Sequence, residues 1–543
     1  MNLQLLTLDS MHGWGGRWRL RVARVLICGL IASTCASAGH AAARNPGQDW
    51  QLLVDRSLVS STKGLAWVQH ESQSAGVALR SDRPWEGDAL YISSIYYLDG
   101  EYRMLYRGLD VRVDGESSYL CLARSRDGIH WEKPELGLIE FDGTRANNII
   151  ADAQGRRLGM CYTFLDPRPG TPANERVKAI AWTDGKRYYH WARNNKGNLK
   201  MVLLASANGE VFQEMEGYAN TLRSDRPNAF DGGSIFWSAE EQCFVGYLRW
   251  WDEGAAPHPR SLQDWMIVHP GTRSVFRVTS KDLRSWSEAV PMSFGQTPRE
   301  HIYESSTHPY FRSPQLYLAL ANRFNPGRRG ISDTEALGLR IRTLPNSGGG
   351  PRYDFTRDVN DLILMTTRPG TAVYERPFME AFMRPGVEPG NWGSRSNYAP
   401  QHGGLIRTGR AEMSFLVTRQ HLQPGNHIER RTLRLDGLTS LRAPYAHGEF
   451  TSVPLLCSGD RLELNYSTSG VGEVQVEIQD EAGEALPGFS LNDCVPLIGD
   501  RISGGVAWKA ESSLRSLRGR SVRIRMVLSD ADIYSFRFAE DPR

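Results

Sequence analysis

The sequence predicts an all-β protein, a five-bladed β-propeller followed by a small β-sandwich, and three observations carry that prediction. A short motif recurs along the chain. A hairpin of alternating strands stands before each copy. No segment between them shows helical periodicity of useful length. The motif is a small hydroxyl residue, a turn and then an aromatic. It reads Ser125-Arg126-Asp127-Gly128-Ile129-His130-Trp131, returns as Ser206-Ala207-Asn208-Gly209-Glu210-Val211-Phe212, and again as Ser280-Lys281-Asp282-Leu283-Arg284-Ser285-Trp286. Thr367-Arg368-Pro369-Gly370 followed by Tyr374 is a degenerate copy. Asp-Gly and Asn-Gly give the backbone the freedom a tight turn needs, and the aromatic opens the next strand.

The hairpins follow in chain order. Leu90–Tyr97 and Tyr102–Arg107 flank a turn at Asp99-Gly100. Met160–Phe164 pairs with Val177–Trp182, Ser234–Trp237 with Cys243–Arg249, and His308–Phe311 with Leu316–Ala321. Gly404–Ile406 precedes Glu412–Val417, whose partner is Arg430–Leu435. Each unit reads as a four-stranded antiparallel sheet. Five such sheets packed radially bury both faces of each and leave only short edges, whereas sandwiches require no repeat of this period.

Near Tyr445 the pattern changes. Short strands at Leu462–Tyr466, Val474–Ile478, Val522–Leu528 and Ile533–Phe538, with turns at Ser458-Gly459-Asp460 and Ala482-Gly483, predict a sandwich over 446–543. The propeller is then expected over 44–445. Residues 1–43 read as a signal peptide: Arg17, Arg19, Arg21 and Arg24 precede the apolar run Val25–Ala36, and Ala36-Ser37-Ala38 and Ala41-Ala42-Ala43 both fit a cleavage site. Export to the periplasm or the exterior is the expectation, with no membrane association once the signal is removed.

The whole chain of 543 residues carries a formal charge of +3, and the signal segment holds four Arg and one Asp, so the mature part is near neutral. That excludes the basic footprint of a nucleic-acid binder. Five cysteines remain, Cys121, Cys161, Cys243, Cys457 and Cys494, an odd number with no CxxC pair, which argues against a disulfide framework or zinc site. No HxH, HExxH, GxSxG or P-loop spacing is present, so neither metal nor cofactor is expected.

In a propeller the innermost strand of each blade lines the axis, and residues just before those strands meet at one mouth. Carboxylates recur there: Asp88 in Trp85-Glu86-Gly87-Asp88, Asp231 in Phe230-Asp231-Gly232-Gly233, Glu304 in Ile302-Tyr303-Glu304-Ser305-Ser306, and Glu380 in Pro377-Phe378-Met379-Glu380-Ala381-Phe382. Converging carboxylates repel, which separates their protonation and yields an acid and a base or nucleophile. Cleavage of a glycosidic bond needs such a pair on opposite sides of the bond. Trp85, Trp237 and Trp392 are candidates to stack on sugar faces, His308 to bond hydroxyls, and Arg395 to clamp substrate. Trp131 and Trp286 hold the repeat position and belong to the core. Asp166, in Phe164-Leu165-Asp166-Pro167, is placed by the hairpin reading in a turn at the far end of its strand.

Ser125–Pro134 with Asn147-Asn148, the hairpin Asp166–Ala179 containing Glu175-Arg176-Val177-Lys178, and Pro377–Pro385 followed by Asn391-Trp392-Gly393 resemble the five-bladed propeller glycosidases of families 32 and 43. The resemblance covers about 60 to 440. It implies three acids from different blade starts, with Asp88 as base or nucleophile and Asp231 and Glu304 in the other roles. The chain departs from family 32 in lacking Trp-Met-Asn-Asp-Pro, for which Trp85-Glu86-Gly87-Asp88 is the nearest stretch. The resemblance implies a glycoside hydrolase acting on a poly- or oligosaccharide. The alternatives are a carbohydrate-binding propeller without catalysis and a sialidase. Sialidases need six blades, and five are counted; Ser125–Trp131 is also one residue short of their Asp-box.

Overall fold

Asp99 and Gly100, both with positive φ (53° and 86°), close the first hairpin, and this turn joins Ala89–Leu98 to Glu101–Leu109. In the computed structural model the residues described are 43–541, apart from 88, 110–117, 160, 187, 190–199, 223–231, 253–270, 340–342, 345–352 and 511–512. The signal-peptide assignment over 1–43 lies outside them, save its last residue.

Five antiparallel sheets follow one another. The first is built on Ala89–Leu98, Glu101–Leu109 and Ser118–Ser125. The second holds Tyr162–Leu165, Val177–Thr183, Lys200–Ser206 and Val211–Glu214. The third holds Gly233–Ser238, Cys243–Asp252, Thr272–Ser280 and Val290–Pro291. The fourth centres on Ser313–Asn325, paired with His301–Glu304, Thr307–Tyr310 and Val359–Thr367. The fifth holds Leu405–Arg407, Glu412–Arg419 and His427–Arg434. Its outermost strand is Gln73–Arg80, from before the first blade, which closes the ring by pairing with His427–Arg434 of the last. The protein is an all-β, five-bladed propeller, as the sequence predicts.

Apolar clusters sit between neighbouring blades. Phe164, Trp182 and Leu203 of the second blade meet Phe244, Leu248 and Phe276 of the third. Val245 and Val275 of the third meet Tyr317 and Ile363 of the fourth. Packing both faces of each sheet is what holds the ring closed.

The repeated motif is a structural turn. Ser125 Oγ accepts the Gly128 N–H at 2.8 Å, Ser206 Oγ the Gly209 N–H at 2.9 Å, and Ser280 Oγ the Leu283 N–H at 2.8 Å. Residues 128, 209 and 283 all take positive φ (74°, 84° and 63°), which glycine adopts freely and Leu283 does not. Trp131 Nε1 donates to Gly128 O and Trp286 Nε1 to Leu283 O, each at 3.2 Å, and both rings pack on blade cores.

The last segment departs from the expected four short strands. Arg461–Gln479 and Ser521–Ala539 are two continuous strands of 19 residues, paired with each other through breaks in register at Asn465/Tyr466 and Thr468/Glu473. Ser469-Gly470-Val471-Gly472, between the expected strands Leu462–Tyr466 and Val474–Ile478, forms an irregular stretch within one strand. The nine-stranded sheet also takes in Gln51–Leu52, Val59–Lys63, Ala66–Gln69 and Thr439–Ala443. Sheet membership therefore joins residues 51–69 to the C-terminal segment, across the contiguous 44–445 and 446–543 ranges read from sequence. One short helix, Asp333–Gly338, escaped the sequence reading; its Ser332 cap and Glu335 form a capping box. All five cysteines are buried and free.

Candidate active site at the front mouth of the propeller

The inner strands of all five blades start at the same end of the axis, here called the front mouth. Tyr91, Tyr162, Gly232, Glu304 and Tyr398 come from these starts. Below them small hydroxyl residues close the axis: Ser94 Oγ bonds Thr163 Oγ1, Ser93 Oγ donates to Cys161 O, and Ser234 Oγ donates to Thr307 O. Short side chains let the five strands approach, and each hydroxyl finds a partner, as burial demands.

Glu304 is 3% exposed. Its strand shifts register between Ile302 and Glu304, a bulge that re-aims the side chain toward the axis. Gln401 Nε2 donates to Glu304 Oε1 at 3.1 Å. On its other side the carboxylate presses on Gly232, where a Cβ would overlap both carboxylate oxygens; Gly232 also has φ +114°, a conformation other residues rarely take. Gly232 N–H donates to Tyr162 OH. The blade-three entry and Glu304 are thus in contact.

Arginines and tyrosines surround the carboxylate. Arg249 lies 4.4 Å from the centroid of Tyr303 and donates to the Tyr303 carbonyl at 3.2 Å. Arg273, fully buried, sits among Trp251, Tyr303 and Phe324 at 4.4, 5.1 and 4.6 Å, with His301 Nδ1 accepting its backbone N–H at 3.2 Å. Tyr398 packs edge-on against both Tyr303 and Tyr91. Burial, with Tyr303, Glu304 and Tyr91 nearby, holds the Tyr398 hydroxyl well above its ordinary range, against Arg249. Burial likewise raises Tyr91, opposed by Arg395 and Arg107, and its OH meets His421 Nε2 at 3.0 Å. Burial, then Arg395 and Arg107, keep His421 neutral. The mouth therefore gathers a buried carboxylate, arginines and protonated phenols, and burial strengthens the charge interactions among them.

The candidate residues divide. Glu304 and Arg395 lie at this mouth, Arg395 with φ 65° and its backbone N–H on Asn360 Oδ1 at 2.7 Å. Asp88 and Asp231 lie outside the described residues; Gly87 and Gly232 are their described neighbours. Glu380 belongs elsewhere. Its segment is the outermost one of the fourth blade, where Met383 bridges Leu362, and Glu380 is exposed on the rim. Phe382 alone turns into the core, and Arg376 pairs with Glu300 instead.

Trp85 is core: buried, donating to Asn148 Oδ1 at 2.8 Å and edge-on to Phe141. Trp392 donates to Gly386 O at 2.8 Å, and one ring face is covered by the Gly330 backbone. Trp237 and His308 stand at the opposite, rear end of the axis. Asp166 is structural, bound by Arg168 at 2.8 Å in the turn after Leu165.

Sequence reading missed Glu86. It is fully buried, with Lys133 Nζ at 2.7 Å, Tyr106 OH at 2.6 Å, and the N–H groups of Asp82 and Arg83 at 3.0 and 3.1 Å. This cage anchors the turn that leads into Asp88. It also missed Arg249, whose only signal is an arginine inside a largely apolar strand, and Arg273, whose mixed strand gives no signal.

No family model matches the chain, and no curated protein matches it. Solved structures do. A glycoside hydrolase family 43 arabinoxylan arabinofuranohydrolase from Bacillus subtilis, in complex with cellotetraose, aligns at 10% identity over 86% of this chain and 100% of that one, with a TM-score of 0.36. An exo-inulinase from Aspergillus awamori aligns at 10% identity over 84% and 99%, TM-score 0.35. A GH32 beta-fructofuranosidase from Bombyx mori aligns at 11% identity over 86% and 95%, TM-score 0.36. These neighbours are five-bladed propeller enzymes of the kind the sequence resembles; the fold of this chain rests on its own five sheets.

Proposed function

We propose that this chain is an exported glycoside hydrolase that cleaves a poly- or oligosaccharide at the front mouth. The carrying observation is the Glu304 carboxylate, buried at the inner-strand starts and pressed against Gly232, the residue that follows Asp231. In sequence Asp231 directly precedes Gly232 of the third blade and Asp88 lies two residues after Glu86 of the first, which makes them the partners proposed for Glu304 of the fourth. Glu304 and Asp231 share proton transfer to and from the glycosidic oxygen, and Asp88 serves as base or nucleophile. Arg249 and Arg273 stabilise negative charge on the reacting carboxylates, and the tyrosines stay protonated and donate to sugar oxygens. Burial of Glu304 and the sequence positions of Asp88 and Asp231 support the reading.

Three amide variants test it: Asp88→Asn, Asp231→Asn and Glu304→Gln, assayed with a panel of polysaccharides and aryl glycosides. Each is expected to lower turnover about 10²–10⁴-fold with an unchanged unfolding midpoint. Glu380→Gln, on the outer rim, is expected to leave turnover alone. Unaltered turnover in all three site variants, or binding of glycan with no product from the parent chain, ends the proposal and favours a binding propeller.

A further inference from the structure

The rear mouth is built from the opposite ends of the same inner strands. Tyr97, Pro167, Trp237, Phe311 and Arg407 come one from each blade and surround a cavity of about 510 Å³. Tyr91 at the front and Tyr97 at the rear share one strand, so the two mouths stand roughly 20 Å apart at ~3.3 Å per residue. The plug of buried hydroxyls at Ser93, Ser94, Thr163, Ser234 and Thr307 separates them.

Two features of the rear cavity point to a ligand. First, Tyr97 and Phe311 are 56% and 41% exposed on its rim, an outlay of aromatic surface that a propeller core does not require. Second, its floor holds His308, which is 4% exposed. His308 Nδ1 meets Ser306 O at 2.9 Å. A carbonyl accepts only, so the ring proton sits on Nδ1 and Nε2 carries a lone pair. That Nε2 has no hydrogen-bond partner among the described residues, and His402 Nδ1, also lining the cavity, is in the same state. Burial keeps both rings neutral, His402 pushed down to about 3 with His308 beside it. A buried acceptor left without a donor costs stability, and a water or a ligand hydroxyl supplies that donor.

The chemistry of that donor follows from the lining. Among the described lining residues there is no carboxylate, and the one cation, Arg407, donates its Nε–H to Gly409 O. A charged ligand finds no counter-charge at the floor. A neutral ligand with a C–H face for aromatic rings and a hydroxyl to donate fits both features. We propose that the rear mouth is a second saccharide-binding site, in which a neutral sugar ring lies against Trp237, Tyr97 and Phe311 and donates a hydroxyl to His308 Nε2. It is distinct from the front mouth and performs no chemistry, since no acid is among its described lining residues. Its occupant tethers the protein to glycan while the front mouth stays open.

The test is calorimetric titration of the full Glu304→Gln chain with cello-, xylo-, manno- and fructo-oligosaccharides. At least one probe is expected to bind, and Tyr97→Ala/Phe311→Ala, which removes only exposed rings, is expected to weaken that probe about tenfold or more. His308→Asn retains a donor for Ser306 O but removes the lone pair, and is expected to weaken the same probe with the unfolding midpoint unchanged. Failure of every probe to bind, or equal affinity in the Tyr97→Ala/Phe311→Ala chain, overturns the proposal. Unchanged affinity in His308→Asn overturns the hydroxyl contact on which it is built.

Discussion

At the rear of the propeller the chain repeats one turn motif, and at the front the described side chains differ from blade to blade. The Ser-turn-aromatic motif closes the third strand of three blades with nearly the same bonds: Ser Oγ to the N–H three residues on, and Asp127 Oδ1 and Asp282 Oδ1 each to two further N–H groups. At the front each blade brings something different: a caged Glu86, a Tyr162, a Gly232, a Glu304, an Arg395 with positive φ. Repetition here marks a mechanical need that is the same in every blade. Its absence marks a place where each blade does a separate job.

The largest expected single-residue effect breaks the front on its structural side. Lys133 Nζ bonds Glu86 while also donating to the Arg80 carbonyl at 2.7 Å. Lys133→Met leaves the Glu86 carboxylate buried beside Tyr106 with its cation gone. Removing one partner of a buried pair costs about 3–5 kcal/mol, to be read from urea midpoints. Turnover should fall as well, because Asp88 follows the caged residue by two positions. A chain as stable as the parent would mean that the Glu86 cage positions nothing.

This contrast explains what was legible in the sequence. The five hairpins and the motif were readable because turn chemistry and alternation are local, and three copies confirm one another. Glu304 was readable because an acid directly before the small hydroxyl residues Ser305, Ser306 and Thr307 fits a blade entry. Glu380 misled because its flanking Phe378 and Phe382 look the same on an outer strand as at an entry; only the pairing of Met383 with Leu362 tells them apart. Trp237 and His308 were legible as ligand-facing types but not as residues of one end of the axis, since nothing local says which end of a strand faces front. The paired long strands Arg461–Gln479 and Ser521–Ala539 were hidden by Gly470 and Gly472, residues that signal a turn equally well when they form a bulge.

Acid sharpens the comparison next. His308 and His402 on the axis and His421 at the front all have pKa values lowered by burial, His402 to about 3. Unfolded, each titrates near 6.5. Below that pH the unfolded chain binds protons that the folded chain refuses, so stability is fully present above pH ~6.5 and is lost as pH falls beneath it. The slope is about 1.4 kcal/mol per pH unit for each histidine. Urea midpoints at neutral pH and near pH 5 should therefore separate before most carboxylates titrate, and His402→Gln should flatten the slope. A midpoint that holds steady down to pH 5 would mean that these rings accept protons without cost.

The smallest effects lie in the repeat, and they are graded. Ser125→Ala and Ser280→Ala each remove a turn bond in a separate blade and should cost about 1 kcal/mol apiece, adding in the double variant to within about 0.5 kcal/mol. The Ser206 turn is the weaker copy, because Asn208 Oδ1 accepts only the Glu210 N–H, at 3.2 Å, where its counterparts accept two. Arg103 Nη1 already reaches the Asn208 carbonyl at 2.7 Å. Asn208→Asp adds a charge-assisted acceptor beside that guanidinium and converts the turn to the form of its two relatives. It should raise stability by a few tenths of a kcal/mol, visible as a small upward shift of the urea midpoint with turnover untouched. A loss instead would show that the Glu210 carboxylate, which shares Arg103, repels the new charge more than the turn gains from it.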